Sequence, residues 1–170
     1  MALELVIRPA IASDLDDVTP MAGSRLRAEV RLQAAARGAD TMLVAASAGR
    51  ILGVESIRWA GGCDPPHPWL YGLHVAEPAR RHGVGRALVR AAEDVARERG
   101  ASRMSLDVDD DEEPAIAFYR ALGYTVVRPH QHRWQSVDPR TGAVIDEGTA
   151  STFIMRGRFH EGGMPPATSR

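Results

Sequence analysis

The sequence predicts a mixed α+β fold in which helices flank the faces of a sheet. Strand-like and helix-like segments alternate through the middle of the chain in the order strand, helix, strand, helix. Before them the pattern predicts a short β-hairpin, and after them a long antiparallel pair. At 170 residues the chain is long enough to bury a substantial core. We expect one domain over residues 1–160 and a disordered tail at 161–170.

The N-terminal part is predicted to form one strand and then two helices. The strand covers residues 3–8, and Ser13 with the acidic residues after it marks the first helix start, because carboxylates stabilise the positive end of a helix dipole. Pro20 is expected to limit that helix. The second helix covers residues 25–37 and ends at Gly38. It is indicated by apolar residues at four-residue spacing, namely Leu26, Val30 and Ala34.

Three strands, a loop and a helix are predicted next. Residues 41–46 and 51–59 are expected to pair as a hairpin through a short glycine-containing turn. Residues 60–68 are rich in Gly and Pro, so we expect a mobile loop there. Residues 69–75 follow as a strand. The helix after it is indicated by an apolar face made of Val84, Leu88, Ala91, Ala92 and Val95.

The C-terminal half is predicted to contain a strand, a helix and a final strand pair. The strand covers residues 103–108, and Pro114 marks the start of the helix, where its missing N–H needs no partner. The final strands are expected at residues 124–134 and 152–159. They are joined by the polar segment 137–148, which contains an Asp-Pro-Arg-Thr-Gly turn signal.

The composition argues against several classes of partner. The formal net charge is −1 with both signs interspersed, so there is no basic stripe for nucleic acid or an acidic membrane. No stretch approaches the roughly 20 apolar residues of a membrane span, and a cytoplasmic protein is expected. The single cysteine, Cys63, cannot form an internal disulfide and has no neighbour in sequence that marks it as a nucleophile.

The most informative stretch is a strand that breaks at Pro78 into a basic, glycine-containing loop and then a helix. In this loop, Arg80 to Gly85, several unpaired N–H groups would converge in front of the positive end of the helix dipole, as a bound phosphate requires. Gly83 and Gly85 lack a Cβ, so the backbone can approach an anion closely. A simple helix-capping turn is the alternative. The spacing is neither that of a Walker loop nor that of a Rossmann loop.

These residues resemble the pyrophosphate loop of the GNAT N-acetyltransferase superfamily. That pattern is Arg/Gln-x-x-Gly-x-Gly/Ala after a strand ending near Val-x-x-Pro, and this chain has Val75, Pro78, Arg80, Gly83 and Gly85 in those places. A second segment, residues 115–124, is similar to the family signature Ala-x-x-Phe/Leu-Tyr-x-x-x-Gly-Phe/Tyr. The resemblance covers residues 69–127. It implies a three-layer fold, in which helices flank a mostly antiparallel sheet that splays after its fourth strand.

The resemblance also implies acetyl-CoA as cosubstrate, lying in the splayed opening. Its pyrophosphate would bind the glycine loop, and its pantetheine arm would pair with the backbone of the strand before the loop. The cofactor-binding residues implied in this way are Leu73, His74, Val75, Arg80, Arg81, His82, Gly83, Val84 and Gly85. Backbone donors there would stabilise charge on the thioester oxygen during attack. An ordinary solvated charge is the alternative for one of the two arginines.

Amine acetylation needs one group that accepts a proton from the acceptor ammonium and one that gives a proton to the leaving thiolate. Tyr119 aligns with the family tyrosine that protonates the thiolate, with plain aromatic packing as the alternative. Asp107 is the first candidate for the base, because ribosomal-protein N-acetyltransferases carry a glutamate at the same separation from the tyrosine. A carboxylate that only orients or caps is its alternative. Glu55 is the second candidate and His74 the third.

The acceptor would be a small-molecule amine or a protein or peptide amine. By analogy its pocket would be built from residues 18–37, the loop at 60–68 and the late strand with His130, His132 and Trp134, which alternate and should share one face. A metal site on the two histidines lacks further clustered ligands and is disfavoured. The acidic run at 109–113 would cap a helix or attract a cationic amine.

We therefore expect direct acetyl transfer in a ternary complex. A GNAT-like acyl-CoA-binding or regulatory module without turnover is the main alternative, and a structural protein with a capping turn is a third. Strand edges in this family often pair between subunits, so the resemblance leaves the choice between a monomer and a homodimer open.

Overall fold

Seven strands form one mixed sheet within residues 4–60, 68–138 and 140–159, the parts of the chain that the computed structural model describes. Residues 61–67 of the loop predicted at 60–68, and the predicted tail at 161–170, lie outside these described residues. The strand order is β1-β2-β3-β4-β5-β7-β6, and β4–β5 is parallel while the other pairings are antiparallel. The strands are β1 Val6–Pro9, β2 Asp40–Ser47, β3 Arg50–Arg58, β4 Trp69–Val75, β5 Arg103–Asp109, β6 Tyr124–Val137 and β7 Val144–Arg158.

Helices cover both faces of the sheet, which confirms the predicted α+β class with three layers. The helices are α1 Leu15–Ala22, α2 Arg25–Ala36, α3 Val84–Glu98 and α4 Glu113–Ala121. One core cluster lies under α1 and α2 and includes Val18, Ala28 and Val54. A larger cluster lies under α3 and α4. In the described residues, none of the helices combines the length and the apolar character needed to cross a membrane.

Alternation along the strands explains the two cores. In β2, Met42 and Val44 belong to the cluster under α1 and α2, whereas Leu43 and Ala45 belong to the cluster under α3 and α4. Successive side chains of a strand point to opposite faces, so a strand covered on both sides reads as a continuous apolar run. Residues 42–46 of β2 form such a continuous apolar run.

The predicted splay is also confirmed. The register of β4 with β5 consists of one pair, Trp69 with Ser105, at the start of β4. Beyond it, β4 continues toward the glycine loop while β5 pairs along its whole length with β7. The two strands therefore diverge and leave a gap between the end of β4 and β5. We call this opening the β4–β5 gap.

Pro20 does not limit the first helix, because α1 continues through it to Ala22 and ends at Gly23, with φ +85°. Proline removes the one N–H that would bond the carbonyl of Asp16, and both residues lie on the exposed side of α1, where water can bond that carbonyl. The helix is preceded by a short 3-10 turn, Ala12–Asp14. Its buried Asp14 accepts two hydrogen bonds of 2.8 Å from the guanidinium of Arg8.

The predicted linker at 137–148 is too long, because β6 extends to Val137 and β7 already begins at Val144. The register extends to Val137 opposite Val144, and the reversal takes only the residues between them. Across the ladder, the Trp134 ring covers Gly148 so closely that a Cβ there would lie 2.8 Å from the indole. Such an aromatic ring on a glycine stabilises a cross-strand pair that a count of polar residues does not reveal.

Candidate functional site

A β-bulge shapes the end of β4 that borders the β4–β5 gap. Ser56 of β3 pairs with Tyr71 and Val54 pairs with His74, so two residues of β4, Gly72 and Leu73, lie opposite the single residue Glu55. Gly72 has φ +65°, a conformation that favours glycine. The bulge increases the local twist, and the backbone of Leu73, His74 and Val75 then forms one wall of the gap.

The glycine loop ends in an uncapped helix N-terminus. Gly83, with φ +82°, is the N-cap of α3, and within the described part of the chain no side chain accepts a hydrogen bond there. The Gly83 carbonyl receives the amide of Ala87, the first bond of the helix. The first amides of a helix, here those of Val84 and Gly85, have no partner within the helix and suit an anion. Among the described residues, a Cβ on Gly83 would meet nothing within 4 Å, so the space beside the N-cap is open.

The basic residues of the loop differ in what they contact. Arg80 Nε donates to the Val75 carbonyl at 3.1 Å, which ties the loop to the end of β4. Nδ1 of His82 lies 2.7 Å from the Arg80 carbonyl. Arg81 has φ +64° and is exposed. Four of the predicted phosphate-binding residues, Arg80 to Gly83, thus share one exposed turn, although Arg80 has an internal role as well. Val84 is buried at the start of α3.

Gly53 of β3 is a residue that the sequence reasoning missed. A Cβ there would lie 3.0 Å from Leu88 and 3.1 Å from both Val84 and the His74 carbonyl. Gly53 therefore lets the first turns of α3 lie directly on the strands beside the glycine loop. A glycine inside a predicted strand is the signal that could have revealed it.

Tyr119 of α4 lies close enough to both predicted carboxyl groups, Glu55 and Asp107, for their charges to act on its hydroxyl. Its ring packs edge to face with Phe118 at 5.0 Å and with Tyr124 at 5.8 Å between centroids. Burial raises the pKa of the Tyr119 hydroxyl, and the charges of Glu55 and Asp107 raise it further. The phenol therefore stays protonated around neutral pH and is available as a proton donor.

Asp107 projects from the face of the sheet opposite α3. Its neighbours in β5, Leu106 and Val108, belong to the cluster under α3 and α4, so the alternation turns Asp107 to the other face. It is partly exposed and lies opposite Ile154 of β7. A carboxylate on this face can reach a molecule that enters from the α1 and α2 side.

Glu55 of β3 is fully buried, and neither of its carboxylate oxygens has a hydrogen-bond partner among the described residues. Burial raises its pKa well above the ordinary value, and the nearby Glu93 carboxylate adds to this, whereas Arg31 opposes it. Glu93 of α3 is 4% exposed and accepts a bond of 2.7 Å from Arg90. Glu55 therefore holds its proton at a pH where an exposed glutamate would be ionised.

His74 is partly buried after the bulge. Burial lowers its pKa, and the positive charge of Arg80 lowers it further. The imidazole is therefore neutral around pH 7. Its cross-strand partner Val54 belongs to the cluster under α1 and α2, so the His74 side chain belongs to the same face as Asp107.

The late histidines lie on that face too, as their alternation predicts. Ile154 pairs with Asp107 on one side and Arg128 on the other, and His130 and His132 follow Arg128 at two-residue steps. The two imidazole rings stack with 5.5 Å between centroids. Trp134 continues the row and is 40% exposed. The face carrying Asp107 therefore extends onto β6.

Comparison with known proteins agrees with this geometry. The model of the acetyltransferase (GNAT) family matches residues 8–124. Streptothricin acetyltransferase of Streptomyces lavendulae is 46% identical over 52 residues, which cover 31% of this chain and 28% of that protein. Aminoglycoside N(6')-acetyltransferase type 1 of Klebsiella aerogenes is 38% identical over 96 residues, covering 54% of this chain and 63% of that protein. The chain thus spans less than two thirds of either relative.

The fold is similar to that of solved acetyltransferases. PaiA N-acetyltransferase from Thermoplasma acidophilum, solved in complex with coenzyme A, superposes with a TM-score of 0.70 at 15% identity, covering 92% of this chain and all (100%) of that one. The family match includes the splayed strand, the uncapped glycine loop and the helix with Tyr119. The chain therefore belongs to the GNAT acetyltransferase family.

Proposed function

We propose that this chain transfers the acetyl group of acetyl-CoA to a primary amine by direct attack in a ternary complex. The observation that carries the proposal is the β4–β5 gap, which has an uncapped helix N-terminus at one end and the neutral phenol of Tyr119 beside it. The amides at the start of α3 suit a pyrophosphate, and the unpaired edge of β4 suits an extended amide-containing arm such as pantetheine.

The chemistry combines one displacement with proton transfers at the nitrogen and at the sulfur. The amine nitrogen forms a bond to the thioester carbon, and the bond from that carbon to sulfur breaks. We assign acceptance of the ammonium proton to Asp107, directly or through water, because it projects from the face opposite α3. Tyr119 then gives its proton to the leaving thiolate, and the second proton that the nitrogen loses on becoming an amide restores the phenol. Backbone N–H groups of Leu73 to Val75 are the candidates to stabilise the thioester oxygen.

Glu55 is a weaker candidate for the base than Asp107. A general base must be ionised, and burial together with Glu93 favours the protonated form of Glu55. Glu55 also belongs to the sheet face under α3, since its cross-strand partner Leu43 lies in that core. His74, neutral and on the face of Asp107, is a further proton acceptor within the same region.

We propose a small primary amine as the acceptor, with a peptide N-terminus or lysine as the second option. Two relatives are named for small molecules, streptothricin and an aminoglycoside. The acidic residues from the end of β5 to the start of α4, Asp109 to Glu113, are exposed near the open end of the gap and would attract a cation.

Calorimetric titration with acetyl-CoA and with free coenzyme A tests the cosubstrate first. Binding in the micromolar range is expected for both ligands. A panel of small amines and N-terminal peptides, assayed by thiol release, then tests transfer. Tight binding with no release for any amine would favour the non-catalytic acyl-CoA-binding module, and no binding at all would overturn the proposal.

A further inference from the structure

Arg31 of α2 is a buried arginine that contacts the bulge of β4. It is 9% exposed, and its Nε donates to the Ser56 hydroxyl of β3 at 3.0 Å. Its Nη2 donates to the carbonyl of Gly72 at 3.2 Å. One guanidinium thus joins α2 to two strands. A buried charge is costly unless it is hydrogen bonded, so this contact is a specific feature of the packing.

Further groups support the guanidinium on its other sides. It lies 5.5 Å from the centroid of the Tyr71 ring, and Arg58 lies 4.8 Å from the same centroid. The Tyr71 hydroxyl donates a hydrogen bond to Asp40 of β2. Burial lowers the pKa of Arg31, and the negative charge of Asp40 opposes this. The Arg31 side chain of α2 thus contacts β3 and β4 directly and is linked to β2 through Tyr71.

The backbone conformation of Gly72 turns its carbonyl toward Arg31. In a regular strand the carbonyls lie in the plane of the sheet, but at φ +65° the backbone of Gly72 departs from that plane, and its carbonyl bonds a side chain of α2. A Cβ on Gly72 would lie 2.9 Å from the guanidinium carbon. Both the conformation and the close approach therefore require glycine at this position.

We propose that Arg31 is a positioning residue, which holds the Gly72 carbonyl and thereby sets the course of Leu73 to Val75 along the β4–β5 gap. The proposal rests on the proposed function, in which this backbone binds the pantetheine arm and the thioester. On the side of β3, pairs at Val54–His74 and Gly53–Val75 anchor the segment. On the side of the gap the described register has no pair beyond Trp69–Ser105. Arg31 supplies a second anchor.

Lysine cannot replace this contact. The guanidinium presents its Nε and Nη2 donors in a rigid plane, so it bonds Ser56 and Gly72 at the same time. The single ammonium of a lysine keeps the charge but cannot occupy both positions. Arg31→Lys should therefore loosen the bulge while preserving the local charge.

The test compares Arg31→Lys with Arg58→Lys, a matched control that alters the other cation on the Tyr71 ring and leaves the Gly72 contact intact. At a temperature where both variants are folded, we expect Arg31→Lys to raise the Kd for coenzyme A and the KM for acetyl-CoA about tenfold and to lower kcat. Arg58→Lys should stay within about twofold of the unmodified chain. Ser56→Ala removes one of the two hydrogen bonds that hold the Arg31 guanidinium. It should give a smaller change in the same direction, and it replaces Arg31→Lys in the test if that variant fails to fold.

Amide hydrogen exchange of the ligand-free protein separates this proposal from the proposed function. The amides of Leu73, His74 and Val75 should exchange faster in Arg31→Lys and at the unmodified rate in Arg58→Lys. Unchanged exchange and unchanged coenzyme A affinity, with only a lower Tm, would overturn the positioning role. Failure of the unmodified chain to bind acetyl-CoA would overturn the proposed function, and the exchange rates would still decide whether Arg31 holds the bulge.

Discussion

Tyr119 shows how one side chain acquires a chemical role from its surroundings. A tyrosine in water loses its proton near pH 10. In this chain, burial and two nearby carboxyl groups raise that pKa, so the hydroxyl remains a donor throughout the physiological range. The proposed transfer needs such a donor at the sulfur, because a thiolate leaves more readily as the proton arrives.

Tyr119→Phe should lower kcat by about 100-fold or more, in the range of a lost general acid, while the Kd for acetyl-CoA stays within about twofold. Tyr124→Phe is the matched control, since its ring packs on that of Tyr119 at 5.8 Å. It should keep the rate. Steady-state kinetics with calorimetry distinguish the two variants, and equal rates for Tyr119→Phe and the unmodified chain would remove the assigned role.

Asp107→Asn should make turnover depend on the free amine in solution. Without the carboxylate, the rate should fall about 100-fold at pH 7 and rise with pH until the acceptor itself is deprotonated. Asp94→Asn, which changes an exposed aspartate of α3, is the control and should leave the profile unchanged. A pH profile of kcat/KM measures this, and a profile for Asp107→Asn that parallels the unmodified chain would contradict the assignment.

Glu55 should make the fold less stable as pH rises. Its folded pKa is raised, so between its unfolded pKa, about 4.3, and the folded value, the unfolded chain has released a proton that the native state keeps. The free energy of unfolding therefore falls with pH there, by at most about 1.4 kcal/mol per pH unit. Urea unfolding of Glu55→Gln should lack this slope. Equal slopes for both proteins would show that Glu55 ionises normally.

At the scale of elements, the N-terminus of α3 is the proposed anion site. Gly83→Asn and Gly83→Asp place similar side chains at φ +82°, where a Cβ meets no neighbour, so they share the backbone strain and differ in charge. We expect Gly83→Asp to bind coenzyme A at least tenfold more weakly than Gly83→Asn, with a difference that shrinks in high salt. Calorimetry at two salt concentrations measures this. Equal affinities would mean that no phosphate lies near Gly83.

The elements also show where local patterns were sufficient. The positions of β4 and α3 follow from apolar spacing and from terminal glycines, which act within a few residues. The extent of α2 was also predicted, but its predicted apolar face was wrong: Leu26 and Val30 are 42% and 54% exposed, whereas Ala28 and Arg31 are buried. The ends of β6 and β7 did not follow, because they depend on cross-strand packing such as Trp134 on Gly148. Pro20 was misread since its effect depends on whether the freed carbonyl reaches water.

At the scale of the whole molecule, the proposed ternary complex predicts a kinetic signature. The cosubstrate would lie in the gap, and the amine would approach the face that carries Asp107, so both can be bound at once. Initial rates with both substrates varied should give intersecting lines in double-reciprocal plots. Incubation of acetyl-CoA with labelled coenzyme A, without amine, should exchange no label. Parallel lines and rapid exchange would instead indicate an acetylated enzyme.

The sequence alone determined the α+β class, most of the elements, the glycine loop and the similarity to the GNAT family, because these depend on neighbours along the chain. Only the tertiary structure decided that Glu55 is buried, that Asp107 and the late histidines share a face, and that Arg31 bonds Gly72. Arg31 and Gly72 are 41 positions apart. Such contacts arise when helices and strands pack, and the packing of distant segments also sets the burial that shifts the pKa of Glu55 and Tyr119.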